Sequence, residues 1–292
     1  MKICVVFILF LVTVCGAAQE SQTQTRPAAP SVYRHPTGLE FRYPADWTIR
    51  ESSIGETELI PPDQQKNEQG VTEGFLLWGI GGTFAPPVDT SLSGYLNVLV
   101  TKMAPFLKQD GDPQKLDAAA GPAMTVSWSG TSDDGMKVTA RTFSVVHESF
   151  AFVLVMLGNQ ERMALREAVV REIFASFRFS QGVRDRALTG NWQSPAAAAQ
   201  TQPAGDAGIW MELRPDGSFE LQEPDPDSEG EGRISGTWYA ADGSICFVYP
   251  ESFFLNFRYE LGGAPGSRKL TLRHSSGATQ VLVEALPEKK KG

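Results

Sequence analysis

The spacing of the apolar residues changes at Phe179, and this change constrains the fold more than any other feature of the chain. Before Phe179, segments in which every second residue is apolar are joined by two segments in which apolar residues recur every three or four positions. The first spacing is typical of strands and the second of helices. After Phe179 only the strand spacing occurs. We therefore predict an α+β domain over residues 33–180 and an all-β domain over residues 187–287.

The first domain is predicted to be an antiparallel sheet covered by two helices. Strand patterns lie within residues 39–49, 75–80, 124–128, 136–140 and 150–157. One helical face consists of Leu92, Leu96, Leu99, Met103 and Phe106, with capping residues at 89–91 and Pro105 at its end. The second helix carries a stripe of Leu165, Val169, Ile173 and Phe177, and its predicted solvent side carries Arg162, Arg166, Glu167 and Arg171.

The second domain is predicted to be a small barrel, because short strand patterns follow one another with turn motifs between them. Pro215-Asp216-Gly217 and Asp242-Gly243 are such motifs. The strand patterns lie within residues 211–213, 219–221, 234–238, 245–249, 257–261, 270–272 and 281–283. Cys246 falls between Ile245 and Phe247, so its side chain is predicted to lie on the opposite face of its strand.

The amino terminus has the pattern of a secretory signal. One lysine precedes an uncharged run from Ile3 to Val14, which is shorter than the ~20 apolar residues that a membrane span requires. Gly16 and Ala18 are small residues at the positions that precede a cleavage site, so we predict cleavage after Ala18. A lipoprotein acylated at Cys15 is the alternative. Residues 19–32 are polar and proline-containing and are interpreted as a flexible leader of a secreted or periplasmic protein.

Charge and cysteine content exclude several classes of partner and stabilisation. The chain has a formal net charge of -8, and loss of the signal removes Lys2 but no acid. Such a surface is poorly suited to a nucleic acid backbone or an anionic membrane. The basic tail at residues 288–292 is interpreted as a solvated end. Beyond the signal only Cys246 is a cysteine, so no disulfide can form within the mature chain.

Residues Gly38 to Trp47, which read Gly-Leu-Glu-Phe-Arg-Tyr-Pro-Ala-Asp-Trp, and the segment Phe174-Ala175-Ser176-Phe177 resemble the PsbP-like family of α/β sandwiches. The resemblance covers roughly residues 33–180. It implies a sandwich domain whose relatives bind or help to assemble larger protein complexes and are not, as a class, enzymes.

The second domain resembles the small lipocalin-like barrels of secreted bacterial proteins. The motifs that carry this resemblance are Leu188-x-Gly-x-Trp192, Pro215 to Phe219, Gly236-x-Trp238 and Lys269 to Leu272. In the Gly-x-Trp pattern, we interpret the glycine as a site of close strand approach and the tryptophan as a plug at one end of the barrel.

The residues that could support catalysis or metal binding are few and scattered. His35, His147 and His274 are the only imidazoles, and no Gly-x-Ser-x-Gly motif accompanies them. The loop at residues 79–82 is glycine-rich, but prolines follow it where a phosphate-binding helix would begin. The acids at residues 223–231 resemble half of a calcium loop and are interpreted as a solvated hairpin. We predict no cofactor and no metal site.

Three functions follow from these observations. The first is a secreted, non-enzymatic module that docks on a protein partner or assembles a complex, as the sandwich resemblance implies. The second is binding of a small apolar ligand by the barrel, with a lining of Trp210, Phe219, Phe247 and Tyr259. The third is a hydrolase that uses His35 or His147 as its base.

Overall fold

A computed structural model describes residues 29–51, 56–64, 66–67, 70–71, 73–82, 84, 88–195, 208–224, 231–250 and 254–285. The predicted signal, the predicted basic tail and most of the acidic segment at 223–231 lie outside these residues. The predicted leader reaches into them, because the first strand begins at Ser31. In the described part of the chain, neither helix has the length and apolar content that crossing a bilayer requires.

The first part of the chain is an antiparallel sheet with one helix on each face. Its strands are β1 (Ser31–Arg34), β2 (Leu39–Tyr43), β3 (Thr48–Glu51), β4 (Thr57–Ile60), β5 (Lys66–Asn67), β6 (Gly70–Val71), β7 (Glu73–Gly81), β8 (Lys108–Gln109), β9 (Gln114–Leu116), β10 (Ala123–Thr131), β11 (Lys137–His147), β12 (Phe150–Asn159) and β13 (Arg178–Phe179). Its helices are α1 (Val88–Met103) and α2 (Gln160–Ala175). The main sheet has the order β3-β4-β7-β12-β11-β10-β8, with β9 also paired to β10, and β1-β2-β13 forms a smaller sheet.

Strand β12 lies in the middle of the main sheet and is buried on both faces. Phe150, Phe152 and Leu154 pack on the side of α2, whereas Ala151 and Val153 pack on the side of α1. Alternate residues of a strand point to opposite faces, so a strand covered on both sides is apolar throughout. This confirms the prediction of a buried strand from Phe150 to Leu157.

Helix α1 packs through Leu92, Leu96 and Val100 against the tryptophans of the sheet, Trp78 and Trp128. Of the predicted face, Leu92 and Leu96 are buried, and Leu99 and Phe106 pack against the same cluster while partly exposed. The helix begins at Val88, so residues 89–91 lie within its first turn and do not precede it as the capping prediction required. It ends at Met103, two residues before the proline that was predicted to end it.

Helix α2 follows the predicted stripe in part, since Ile173 and Phe177 are buried and Val169 packs against the core, but Leu165 does not. It buries Met163, Val170, Ile173 and Phe174, whereas Leu165 of the predicted stripe is 74 % exposed. The predicted solvent side was wrong for two arginines. Arg162 and Arg166 bond to Asp63, and Arg162 also pairs at 3.1 Å with Glu73, whose side chain is fully buried. A buried carboxylate requires a cationic partner, and this requirement turns the arginine side of the helix towards the sheet.

The second part of the chain is an antiparallel barrel that closes on itself. Its strands are β14 (Gly190–Gln193), β15 (Trp210–Leu213), β16 (Ser218–Pro224), β17 (Glu231–Ala241), β18 (Ser244–Val248), β19 (Leu255–Gly262), β20 (Lys269–Arg273) and β21 (Thr279–Glu284), preceded by a 3-10 turn at Arg186–Leu188. Each strand pairs with the next, and β14 pairs with β21 through Trp192 opposite Glu284 and Gln193 opposite Val283. Closure leaves no unpaired strand edge among the described strands of the barrel.

The outer wall of the barrel packs against the sandwich, so the two parts share apolar contacts. Tyr239, Cys246, Val248 and Phe254 belong to the same buried cluster as the α2 face of the main sheet. Phe254 lies against Gly79, where a Cβ atom would come within 2.1 Å of the phenyl ring. Burial of Cys246 follows from this contact, because its strand turns Ile245 and Phe247 into the barrel and the cysteine towards the sandwich.

Candidate functional site

One end of the barrel is filled by the tryptophans of the two Gly-x-Trp motifs. Trp192 and Trp238 are fully buried, and their indole N–H groups donate to Leu188 O at 2.8 Å and to Arg214 O at 3.1 Å. A buried indole requires an acceptor for its N–H, and each motif supplies one at this end. The tryptophans therefore have the structural role that the sequence predicted.

An ion pair stabilises the same end from outside. Arg268 lies over the ring of Trp192, with its Cζ 5.2 Å from the ring centroid, and pairs with Glu284 at 2.5 Å. The hydrogen bond from this guanidinium lowers the pKa of Glu284 to about 2. The carboxylate is therefore ionised at neutral pH. It also accepts the Gly266 N–H at 2.8 Å, and this hydrogen bond connects β21 to the turn before β20.

The other end of the barrel contains a cavity of about 270 Å³. Its wall is formed by alternate, inward-facing residues of β15, β16, β18, β19, β20 and β21 and by residues that flank these strands. The lining residues are Ile209, Met211, Phe219, Leu221, Phe247, Tyr249, Leu255, Phe257, Leu272, His274, Ala278, Thr279, Gln280 and Leu282. Eleven of these fourteen residues are aliphatic or aromatic, and the three polar ones are His274, Thr279 and Gln280.

The aromatic residues of the wall pack against one another edge to face. The ring of Phe219 lies 5.1 Å from Phe247 and 5.2 Å from Tyr249, at interplanar angles of 74° and 81°. Phe247 meets Phe257 at 6.0 Å and 74°. This is the favoured geometry of aromatic pairs, because the positive edge of one ring meets the negative face of the next. The rings of the wall therefore pack directly against one another.

The structure brings together two of the four residues that the sequence placed in a ligand pocket. Phe219 and Phe247 line the cavity. Trp210 does not, because Met211 and Leu213 are the buried residues of β15 and Trp210 alternates with them. Tyr259 lies inside the barrel but towards the tryptophan end, where its hydroxyl donates to Asp185 at 2.8 Å. Burial and this carboxylate raise the pKa of Tyr259 to about 12.

Sequence reasoning missed several wall residues, among them Met211, Tyr249, Leu255 and Phe257. Strand alternation could have found Tyr249 and Phe257, since each is two residues from another inward-facing residue of its strand pattern. His274 lies at a turn, where its backbone N–H bonds to Ala278 O at 2.8 Å, and its ring forms part of the cavity wall.

The two histidines of the hydrolase hypothesis lie apart from this cavity. His35 is buried, its Nδ1 lies 2.8 Å from Thr37 Oγ1, and burial lowers its pKa to about 4. His147 stacks on Phe179 with ring centroids 4.0 Å apart, and the nearby acid is its exposed neighbour Glu148 at 3.9 Å. The described contacts of both rings are therefore those of packing residues.

Two further candidates from the sequence, Cys246 and the glycine-rich segment at residues 79–82, lie in tightly packed surroundings. Cys246 is buried, and burial raises the pKa of its thiol well above the ordinary value. The glycine-rich segment that was predicted to be a loop is the end of β7, where Gly79 and Gly81 approach the Phe254 ring and the Tyr249 carbonyl so closely that a Cβ would collide with them. Among the described residues, no three His, Cys, Asp or Glu side chains are grouped as a metal site would require.

No family model matches the chain, and no curated protein matches its sequence. Solved structures do resemble part of it. The cyanobacterial PsbP protein of Synechocystis sp. PCC 6803 aligns at a TM-score of 0.40 and 11 % identity, over 56 % of this chain and 99 % of its own. LpqN of Mycobacterium tuberculosis, described as involved in cell envelope biogenesis, aligns at 0.38 and 16 %, over 54 % and 87 %. The Ran-binding protein Mog1p of Saccharomyces cerevisiae aligns at 0.37 and 11 %, over 52 % and 96 %. These likenesses concern the fold alone.

Proposed function

We propose that this chain is a non-catalytic binding protein whose barrel holds one small apolar molecule. The observation that carries the proposal is the cavity of about 270 Å³ at the end of the barrel opposite the tryptophans. A barrel of this size can fill its interior with its own side chains, as it does around Trp192 and Trp238. At the other end the inward-facing side chains leave a space bounded by Phe219, Phe247 and Phe257.

The size of the cavity limits the ligand to a small molecule. An apolar protein cavity of ~150 Å³ accommodates one benzene molecule. On that scale, this cavity accommodates roughly ten or eleven non-hydrogen atoms. Affinity would come from transfer of apolar surface out of water, at about 25 cal/mol for each Å² that the wall covers. An aromatic ring with a short substituent fits both the volume and the aromatic wall.

Toluene binding tests the proposal, with Leu255→Trp as the variant that fills the cavity. Leu255 lines the cavity, and an indole in its place occupies part of the space that toluene needs. The matched control is Glu260→Trp on the same strand, because Glu260 faces outward and pairs with Arg273. We expect calorimetric titration to show at least tenfold weaker binding to Leu255→Trp and unchanged binding to the control.

Two results would contradict the proposal. One is the absence of toluene binding to the unaltered protein, and the other is equal binding to both tryptophan variants. Native mass spectrometry of the protein as purified adds an independent readout, since a retained apolar ligand appears as added mass that Leu255→Trp reduces.

The docking of a protein partner and export from the cytoplasm stay predictions from the sequence. The first is supported by the sandwich resemblance in residues 38–47 and 174–177, and the second by the signal pattern in residues 1–18. Cross-linking of the mature protein in an envelope extract tests the first prediction. The amino-terminal sequence of the exported protein tests the second, with Gln19 expected as the first residue.

A further inference from the structure

The polar part of the cavity wall is centred on His274. The ring lies 5.6 Å from Phe257, measured between centroids, and both residues line the cavity. The neighbouring polar groups are turned to the backbone: Thr279 Oγ1 donates to Gly277 O at 3.5 Å and Gln280 Nε2 donates to Val281 O at 3.4 Å. Whether the polar part of the wall can form a hydrogen bond with a molecule in the cavity therefore depends on the imidazole of His274.

Contacts within the turn assign the tautomer of His274. Its Nδ1 accepts the backbone N–H of Ser276 at 3.3 Å and lies 2.9 Å from the hydroxyl of the same serine. A backbone N–H can only donate, so Nδ1 of the neutral ring must be the acceptor. The proton of the neutral imidazole then sits on Nε2. The hydrogen bonds described for this ring engage Nδ1, which leaves the Nε2 proton as the donor for a molecule in the cavity.

The same local arrangement occurs at His35 and serves a different purpose there. Nδ1 of His35 accepts the backbone N–H of Thr37 at 3.3 Å and lies 2.8 Å from its hydroxyl. The His35 ring is buried between the sandwich and the barrel, beside Phe152 and Phe254. The two turns place the Nδ1 atoms in the same way, but only the ring of His274 lines the barrel cavity, whereas His35 lines a separate pocket together with Tyr33 and Arg258.

From this geometry we infer that the barrel selects a small apolar molecule with a neutral carbonyl oxygen, which accepts a hydrogen bond from His274 Nε2. The inference rests on the proposed function and adds the chemical class of the ligand. A single N–H donor matches a single acceptor such as a ketone, aldehyde or ester oxygen. It does not compensate the loss of water around an ionised carboxylate, which needs several donors or a cation.

Three probes of the same size and planar shape test this class: acetophenone, α-methylstyrene and benzoate. The first carries a neutral carbonyl oxygen, the second carries a methylene group in its place, and the third carries a carboxylate. The variants are His274→Phe, which removes the donor and keeps an aromatic wall, and His274→Gln, whose amide restores an N–H. Titration calorimetry on the full exported chain measures each affinity, and circular dichroism checks that each variant is folded.

We expect His274→Phe to weaken acetophenone binding about five- to tenfold, which is the size of one neutral hydrogen bond, and to change α-methylstyrene binding less than twofold. His274→Gln should recover part of the acetophenone affinity. Benzoate should bind the unaltered protein at least tenfold more weakly than acetophenone does.

Equal loss of affinity for acetophenone and α-methylstyrene in His274→Phe would overturn the inference and leave the apolar cavity standing. Benzoate binding as tight as that of acetophenone would overturn the restriction to neutral carbonyls. If neither neutral probe bound the unaltered protein, the proposed function itself would fail, so the two failures are distinguishable.

Discussion

His35 shows how burial changes the chemistry of a single residue. Its ring meets Phe152 edge to face at 5.3 Å and lies 6.0 Å from Phe254, which belongs to the barrel side of the molecule. Removal of water from the ring disfavours its charged form, and this lowers the pKa of His35 to about 4 from an ordinary value of 6.5. The neutral imidazole is therefore part of the folded state.

This pKa predicts a loss of stability in mild acid. The unfolded chain protonates His35 more readily than the folded chain, so the contribution to stability is fully present above pH 6.5 and decreases as the pH falls towards 4. The loss amounts to about 3 kcal/mol over that range. Urea unfolding of the protein and of His35→Phe, each at several pH values between 7 and 4, checks it. We expect the variant to have the shallower dependence, and parallel curves would refute this role of His35.

At the scale of elements, α2 shows that the spacing of apolar residues alone does not determine which face of a helix is buried. Val169, Val170, Ile173 and Leu165 permit more than one buried face. The choice is made by Glu73 on β7, whose buried carboxylate pairs with Arg162. Once the arginine side lies against the sheet, Met163 is buried and Leu165 is exposed.

Matched truncations on α2 test this orientation. Met163→Ala removes a buried side chain and should lower the free energy of unfolding by about 2–5 kcal/mol. Leu165→Ala, two positions further along the helix, should change it by less than about 0.5 kcal/mol, because Leu165 is in contact with solvent. Chemical denaturation of both variants gives the comparison. A larger loss of unfolding free energy for Leu165→Ala than for Met163→Ala would contradict this orientation and support the stripe predicted from the sequence.

At the scale of the whole molecule, the sandwich and the barrel are held together by buried contacts and by backbone hydrogen bonds. Phe254 packs on Gly79, and its N–H donates to Gly79 O at 2.9 Å. Val183 lies between the two parts, since its N–H donates to Pro36 O at 3.1 Å and its carbonyl accepts the Ala240 N–H at 2.8 Å. These contacts predict that the two parts unfold together.

Phe254→Ala tests this coupling. We expect a single calorimetric transition for the unaltered protein, because the apolar contacts at Phe254 join the two parts. The variant should lose about 3–5 kcal/mol of stability and show two separate transitions. Phe219→Ala is the control, because Phe219 lies within the barrel and its loss should destabilise the barrel without removing a contact to the sandwich. Two transitions in the unaltered protein would contradict the coupling.

The sequence by itself determined the classes of structure in this protein and their order. Strand alternation and helical spacing are local properties, so they predicted the mixed first part, the all-β second part, the buried strand at Phe150 and the inward positions of Phe219 and Phe247. The two Gly-x-Trp motifs likewise predicted the filled end of the barrel, and the structure adds an acceptor for each indole N–H.

Only the tertiary structure decided which local features meet. The orientation of the first half of α2 depends on Glu73, which lies 89 positions before Arg162, and the burial of Cys246 depends on contact with the sandwich. The cavity depends on how far the side chains of six separate strands extend into the barrel, and this placed His274 in its wall and left Trp210 outside. Burial, cavity volume and ion pairing each depend on residues that are distant from one another in the chain. A periodic pattern within one segment carries no information about those distant residues.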